Sequence, residues 1–223
     1  MQPTAWLCDF DGTISPGDIG AELLRAFSPG RDAEREALLA DWSAGRIGHR
    51  VLSTRECALM TMTEPEALGV ARSHELDPAF APFVREVEAR GDAVMVVSEG
   101  FGFYISGLLQ REGLTRVRWA ANRMIFEAGG RVGVEFPFHD PECLRCGNCK
   151  GRHVRDWRER GYRTVMVGDG RSDRCGAGAA DRVLASGALL EWCRRVGLAA
   201  EPFEDFRDIA EAARAEHGES PVL

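Results

Sequence analysis

The sequence predicts an α/β fold: a doubly wound parallel sheet with an inserted α-helical block and a β-hairpin. Three observations predict it. Short apolar segments alternate with helical patterns from about residue 76 onward, which is the signature of a parallel sheet covered on both faces. The stretch 18–70 shows helical spacing and no strand candidate. Three of the strand candidates end in polar residues (Asp9, Ser98 and Asp169), and open α/β sheets bind ligands outside the carboxyl ends of their strands.

The elements follow in order. Thr4–Phe10 is short, apolar and β-prone, and runs into the turn pair Asp11-Gly12, so it reads as a buried strand. Ile19, Leu23, Leu24 and Phe27 start the helical spacing; Leu38, Leu39 and Trp42 and then Val51, Leu52, Leu59 and Met60 continue it. Pro29-Gly30 and Gly45 punctuate the block, and Pro65 suits the first turn of a further helix. A helix over Pro78–Arg90 precedes a strand over Ala93–Val97, the turn Ser98-Glu99-Gly100 and a helix over Phe103–Arg111. Arg118–Phe136 alternates around Gly129-Gly130, as a hairpin does. After a cysteine-rich loop come a helix over Gly151–Arg160, a strand over Thr164–Val167 and the turn Gly168-Asp169-Gly170. A helix through Ala177–Ala180, a strand over Val183–Ala185, and helices over Ala188–Val196 and Phe206–His217 close the chain. The expected division is a core of residues 1–15 and 76–223 with a helical domain at 16–75.

Composition narrows the function. A chain of 223 residues with 44% apolar side chains can bury a sizeable core. A formal net charge of −7 argues against nucleic acid or an anionic membrane as partner. No basic, apolar export signal opens the sequence, and no apolar run reaches membrane-spanning length. Seven cysteines, an odd and scattered set, then read as reduced thiols of a cytoplasmic protein. The oligomeric state, monomer or homodimer, is left open.

The chemistry sits at the strand ends. In Asp9-Phe10-Asp11-Gly12-Thr13 two acids one residue apart follow a buried strand, so both can face one crevice. One can attack phosphorus while the other handles the proton; the plain alternative is an Asp-Gly turn. Ser98, with the amides of Glu99 and Gly100, can hold a phosphoryl oxygen or merely cap a helix. Gly168-Asp169-Gly170-Arg171-Ser172-Asp173 offers carboxylates of the kind Mg²⁺ takes.

The order Asp-Phe-Asp-Gly-Thr, strand-end Ser98, Lys150, then Gly-Asp-Gly-x-x-Asp resembles the four-motif signature of the haloacid dehalogenase superfamily. The resemblance spans Asp9 to Asp173, and the helical block between the first two motifs resembles the cap of phosphoserine phosphatases. It implies a Rossmann-like core and a Mg²⁺-dependent phosphomonoesterase acting on a small phosphorylated metabolite. By resemblance, Asp9 is the nucleophile and a metal ligand, and Asp11 is the acid/base that lends its carbonyl to the metal. Ser98 and Lys150 contact the phosphoryl oxygens, with Gly100 and Ser172 beside them. Asp169 is a further metal ligand, and Asp173 binds through water or supports the ligands. Asp18, Arg55 and Glu99 fall where substrate amino and carboxylate groups are held.

His139-Asp140-Pro141-Glu142-Cys143-Leu144-Arg145-Cys146-Gly147-Asn148-Cys149-Lys150 narrows the resemblance to two groups. One comprises the methionine-salvage phosphatases acting on 2-hydroxy-3-keto-5-methylthiopentenyl-1-phosphate; the other comprises the phosphoethanolamine/phosphocholine phosphatases. Phosphoserine is the remaining alternative. Two positions depart from those groups: Glu99 stands for a usual Gly, and Gly151 for a usual Pro. The C-x2-C-x2-C spacing also suits a structural Zn²⁺ with His139 as fourth ligand, or Cys175 if the fold brings it close. Thiols that only shape the loop, or a redox-sensitive cluster, are the competing readings. Rival classes are a receiver-like phosphoacceptor, for which the chain is too long, and a cysteine-loop binding protein, which would not need Asp9, Asp11, Lys150 and Asp169 together.

Overall fold

The computed structural model describes residues 2–216. Seven strands among them form one sheet: β1 (Thr4–Cys8), β2 (Ala93–Phe101), β3 (Arg118–Phe126), β4 (Val132–Glu135), β5 (Arg163–Gly168), β6 (Arg182–Ala185) and β7 (Glu201–Pro202). Their order is β4-β3-β2-β1-β5-β6-β7, parallel except for β4 against β3. The chain builds outward from β1 through β2 to β4, then returns to the other side of β1 with β5. That reversal opens a crevice at the carboxyl ends of β1 and β5.

β1 is central because all five of its side chains are apolar or small and all are buried. Alternation sends Trp6 and Cys8 to one face and Ala5 and Leu7 to the other. On the Trp6 face lie α5 (Phe80–Ala89), α6 (Gly102–Arg111) and α10 (Phe206–Glu216), with Phe83 and Phe206 packed together. On the Leu7 face lie α7 (Lys150–Glu159) and α9 (Gly187–Val196), through Val154, Trp157, Leu189 and Cys193.

Residues 19–72 hold four helices, α1 (Ile19–Phe27), α2 (Asp32–Ser43), α3 (His49–Leu59) and α4 (Glu64–Arg72). Asp18 caps α1 by accepting from Ala21 N at 2.8 Å, and Thr63 with Glu66 forms a capping box on α4. The block is tied to the β3–β4 hairpin through the bridge Thr61–Arg131 and the bond Met62 N to Gly130 O.

Three sequence expectations are corrected. β2 does not stop at Val97; it continues to Phe101 with an irregularity between those residues, because Asn122 Nδ2 donates to Glu99 O and keeps the segment beside β3. Ser98 therefore lies inside the strand rather than at a helix start. The short helix α8 (Arg174–Ala177) lies three residues earlier than its alanine content suggests, since the turn 171–173 runs straight into it. There Gly176 passes so close to Met166 that an added Cβ would stand 2.8 Å from its Sδ. β7 has only two residues, too short to carry a periodic signal. The last predicted helix reaches Glu216; His217 lies outside the described residues.

Candidate active site

The loop after β1 carries Asp9 and Asp11 into the crevice, and its turn depends on Gly12 at φ +80°. A side chain there would also meet Asp169 Oδ2 at 2.6 Å, so the glycine lets the two acidic segments touch. Thr13 Oγ1 donates to Asp169 Oδ1 at 2.9 Å and fixes that contact.

Lys150 is the only lysine among the 28 basic residues of the chain. It is fully buried, with Nζ 2.7 Å from Asp9 Oδ1 and 2.5 Å from Asp173 Oδ1, and 3.4 Å from Ser172 Oγ. Burial works against its charge, but the two carboxylates outweigh that and raise its pKa. Asp173 is held by the amides of Asp169 (3.1 Å) and Gly170 (2.8 Å) on Oδ2. With Oδ1 given to Lys150, Asp173 is suited to supporting the acids around it more than to direct ligation. Burial, then the charge of Asp173, pushes Asp9 well above the ordinary carboxylate range, with Lys150 pulling it down. Burial and Asp173 likewise raise Asp169.

Oxygens of Asp9, Asp169 and Asp173 lie within 4.8 Å of one another. Three crowded carboxylates offset by one ammonium are a hard-oxygen set short of positive charge, which fits a divalent cation such as Mg²⁺.

Asp11 stands beside this cluster. Its Oδ2 accepts from Tyr104 Oη at 2.6 Å and its Oδ1 from Ile19 N at 3.0 Å. Burial, then the nearby charge of Asp18, pushes its carboxyl up to about 7 against those donors. A group poised there can give a proton and take it back near neutral pH. Tyr104, raised well above its ordinary value by burial and then by Asp11, stays a donor.

A cleft of about 240 Å³ opens from these acids toward the helical block. That is below the roughly 300–1,000 Å³ of sites for drug-sized ligands, so it suits a small substrate. Asp18, Ser98, Glu99, Gly100 and Ser172, all singled out in the sequence, line it. Arg55 does not; it is solvent-exposed, and its neighbour Glu56 lines the cleft instead. Glu99 is tied up: its carboxylate lies 3.0 Å from His49 Nδ1 and accepts from the amides of Gly147 and Asn148, each at 3.0 Å. Ser98 Oγ accepts from Gly100 N at 2.9 Å.

The sequence reading missed Thr13, His49, Glu56 and Tyr104. Only Lys150 had an overlooked sequence signal, its being the sole lysine of an arginine-rich chain.

The cysteine loop does not recruit His139. The sulfurs of Cys143, Cys146 and Cys149 cluster within 4.8 Å, while His139 Nδ1 lies 2.8 Å from Phe136 O. The loop packs against the helical block, where Arg50 N donates to Arg145 O.

With this geometry in place, comparison with known proteins is decisive on family. The family model for haloacid dehalogenase-like hydrolase matches residues 6–177. The chain belongs to that family. A 2-hydroxy-3-keto-5-methylthiopentenyl-1-phosphate phosphatase from Geobacillus kaustophilus is 34% identical over 92% of this chain and 93% of its own length. A protein of the same name from Exiguobacterium sibiricum is 29% identical, covering 92% and 94%. Among solved structures, a substrate-bound phosphoserine phosphatase complex superposes with a TM-score of 0.72 at 21% identity, covering 95% of this chain and 99% of that one. A phospho-aspartyl intermediate analogue of phosphoserine phosphatase also gives 0.72, at 22% identity with the same coverage. These structural likenesses establish the hydrolase fold for the sheet and its helices.

Proposed function

We propose that this hydrolase is a Mg²⁺-dependent phosphomonoesterase that cleaves a small phosphorylated metabolite through an aspartyl-phosphate on Asp9. The observation that carries the reading is the buried Lys150 between Asp9 and Asp173, with Asp11 and Asp169 at the same sheet edge. Asp9, Asp169 and the carbonyl of Asp11 would hold the ion, with Asp173 in support. Bound there, Mg²⁺ neutralises phosphoryl charge and lets Asp9 stay ionised.

Phe10 N (2.7 Å) and Lys150 both engage Asp9 Oδ1, and we assign Oδ2 to the attack on phosphorus. Lys150 offsets the repulsion between carboxylate and phosphate. As the P–O bond breaks, Asp11 gives its proton to the leaving alkoxide. Asp11 then takes a proton from water, whose oxygen attacks phosphorus, releasing inorganic phosphate and restoring Asp9. The helical block at 16–75 acts as the cap over the cleft, supplying Asp18, His49 and Glu56 to its wall.

For the substrate, the cap-side wall joins the apolar Leu24, Leu39, Leu52 and Met60 to the acids Asp18 and Glu56. Such a wall suits a hydroxylated leaving group with a short apolar tail, as in the substrate for which the Geobacillus and Exiguobacterium relatives are named. Phosphoserine is the weaker reading, because the arginine expected for its carboxylate points away from the cleft. Turnover of p-nitrophenyl phosphate with and without Mg²⁺ tests the reaction. A panel of phosphorylated metabolites, including methylthio-sugar phosphates and phosphoethanolamine, tests the substrate. Turnover that is absent with Mg²⁺, or unchanged without it, overturns the proposal.

A further inference from the structure

We propose that Cys143, Cys146, Cys149 and Cys175 form a tetrathiolate zinc site that staples the cysteine loop to the segment carrying Asp169 and Asp173. Residues 136–149 join β4 to α7 with no helix or strand of their own. A connection of that length inside a domain calls for an internal tether or a function. Its three cysteines turn inward as one cluster, every sulfur within 4.8 Å of the others. The fourth comes from elsewhere in the chain: Cys175 Sγ lies 4.0 Å from Cys146 Sγ.

The spacing discriminates between metal and disulfide. Four sulfurs at Zn–S distances of about 2.3 Å define a tetrahedron whose edges are about 3.8 Å, whereas disulfide sulfurs are about 2.05 Å apart. The 4.0 Å separation lies near a tetrahedral edge and far from a covalent bond. Soft thiolates also select zinc over the hard cation that suits the Asp cluster.

The backbone is shaped for the same junction. Gly151, at the first turn of α7, approaches Cys175 so closely that a Cβ would stand 2.9 Å from its carbonyl oxygen. This close approach brings the C-x2-C-x2-C end of the loop against the turn after Asp173. Binding would release the thiol protons and leave the centre with two net negative charges. Arg50, whose guanidinium donates to Cys143 O at 3.1 Å, and Arg145 supply positive charge nearby. Since Lys150 follows Cys149 directly and Asp173 lies two residues before Cys175, one ion would fix the spacing between the lysine and the acid that holds it.

Metal analysis of the full-length protein, expressed with added zinc and purified in reducing buffer, is the test. Expected is about one zinc per chain, released as mercurial reagent titrates the thiols. The Co²⁺-loaded protein should show the charge-transfer and red d–d bands of a tetrathiolate. Cys175→Ser should lose that spectrum and bind roughly a tenth of the zinc or less, while His139→Ala retains both. If Cys175→Ser fails to fold, the thiol titration of the wild type still decides. A zinc-free wild type, a Cys175→Ser protein as zinc-loaded as His139→Ala, or a Cys146–Cys175 disulfide in anaerobically prepared protein overturns the site. None of these readouts depends on turnover, so they stand apart from the phosphatase assay.

Discussion

Glu99 and His49 meet at 3.0 Å across the junction between the helical block and the sheet, and the same carboxylate holds the amides of Gly147 and Asn148. Burial alone would raise the Glu99 carboxyl, but the charge and hydrogen bond of His49 bring it below its usual value. Burial disfavours the His49 cation too, and Glu99 outweighs that and raises it. For a raised histidine, the stabilisation is complete below the unfolded value of about 6.5 and is lost as pH rises through the folded one. For the depressed Glu99, it is present above about 4.3 and lost as pH falls through the folded value. His49→Gln should therefore lower the melting temperature most near pH 6 and progressively less toward pH 9. Glu99→Ala, which also strands two buried amides, should cost about 3–5 kcal/mol. An equal loss at both pH values for His49→Gln would remove the ion pair from the account.

Asp9→Asn should abolish Mg²⁺-dependent turnover while leaving the circular dichroism spectrum unchanged, because the amide cannot attack phosphorus. Aluminium or beryllium fluoride should protect the wild type against thermal unfolding and fail to protect this variant. Near-normal turnover by Asp9→Asn would sink the covalent mechanism.

Much of this site was legible because its chemistry is local. Asp9 and Asp11 flank a turn after a short apolar strand, and Asp169 to Asp173 fall within five residues, so a strand-end peptide shows them at a glance. What was not legible depends on contacts distant along the chain. Tyr104 reaches Asp11 across 93 residues, and nothing near Tyr104 marks it. Glu99 reads as a substrate contact because it falls at a substrate-holding position of the resembled family and replaces a usual Gly; that it also ties α3 to the cysteine loop depends on partners 48 to 50 residues away. Arg55 and Glu56 are adjacent on α3, and helical periodicity without its phase could not say which of them faces the cleft. The sheet core was plainer, since the alternation of Trp6 and Cys8 against Ala5 and Leu7 already assigns the two faces of β1.

Burial, then Asp18, pushes the Asp11 carboxyl up to about 7, and on the proposed mechanism it must be protonated to release a poor leaving group. Turnover of an alkyl phosphate should thus fall as pH rises past about 7, and Asp11→Asn should slow it far more than it slows p-nitrophenyl phosphate. Tyr104→Phe removes a donor that favours the charged carboxylate, so the falling limb should move to higher pH. A limb that stays in place in Tyr104→Phe would separate Asp11 from it.

Asp169 accepts from Thr13 Oγ1 and belongs to the acidic triad. Asp169→Ala should raise the Mg²⁺ concentration needed for half-maximal turnover by at least about tenfold for every substrate. Thr13→Val, which only frees the carboxylate to rotate, should produce a smaller shift in the same direction. Mg²⁺ titrations of all three proteins check this; superimposable curves would take Asp169 out of the metal site.

On the proposed reading, specificity belongs to the cleft wall, which Glu56 and Asp18 line from the side of the helical block. Asp18 spends one oxygen on the cap of α1, so Asp18→Ala should cost about 1 kcal/mol of stability as well as affinity. Glu56 is half-buried, and burial raises its carboxyl, which favours a partner that brings hydrogen-bond donors or positive charge. Leaving such a donor unpaired costs about 1–3 kcal/mol, so Glu56→Ala should lower kcat/KM for the true substrate roughly 5- to 150-fold. p-Nitrophenyl phosphate offers its leaving group no such donor and should be nearly unaffected. Arg55→Ala, at an exposed position outside the cleft, should leave both substrates within about twofold of wild type. A selective loss in Arg55→Ala with none in Glu56→Ala would mean that α3 turns its other face to the substrate.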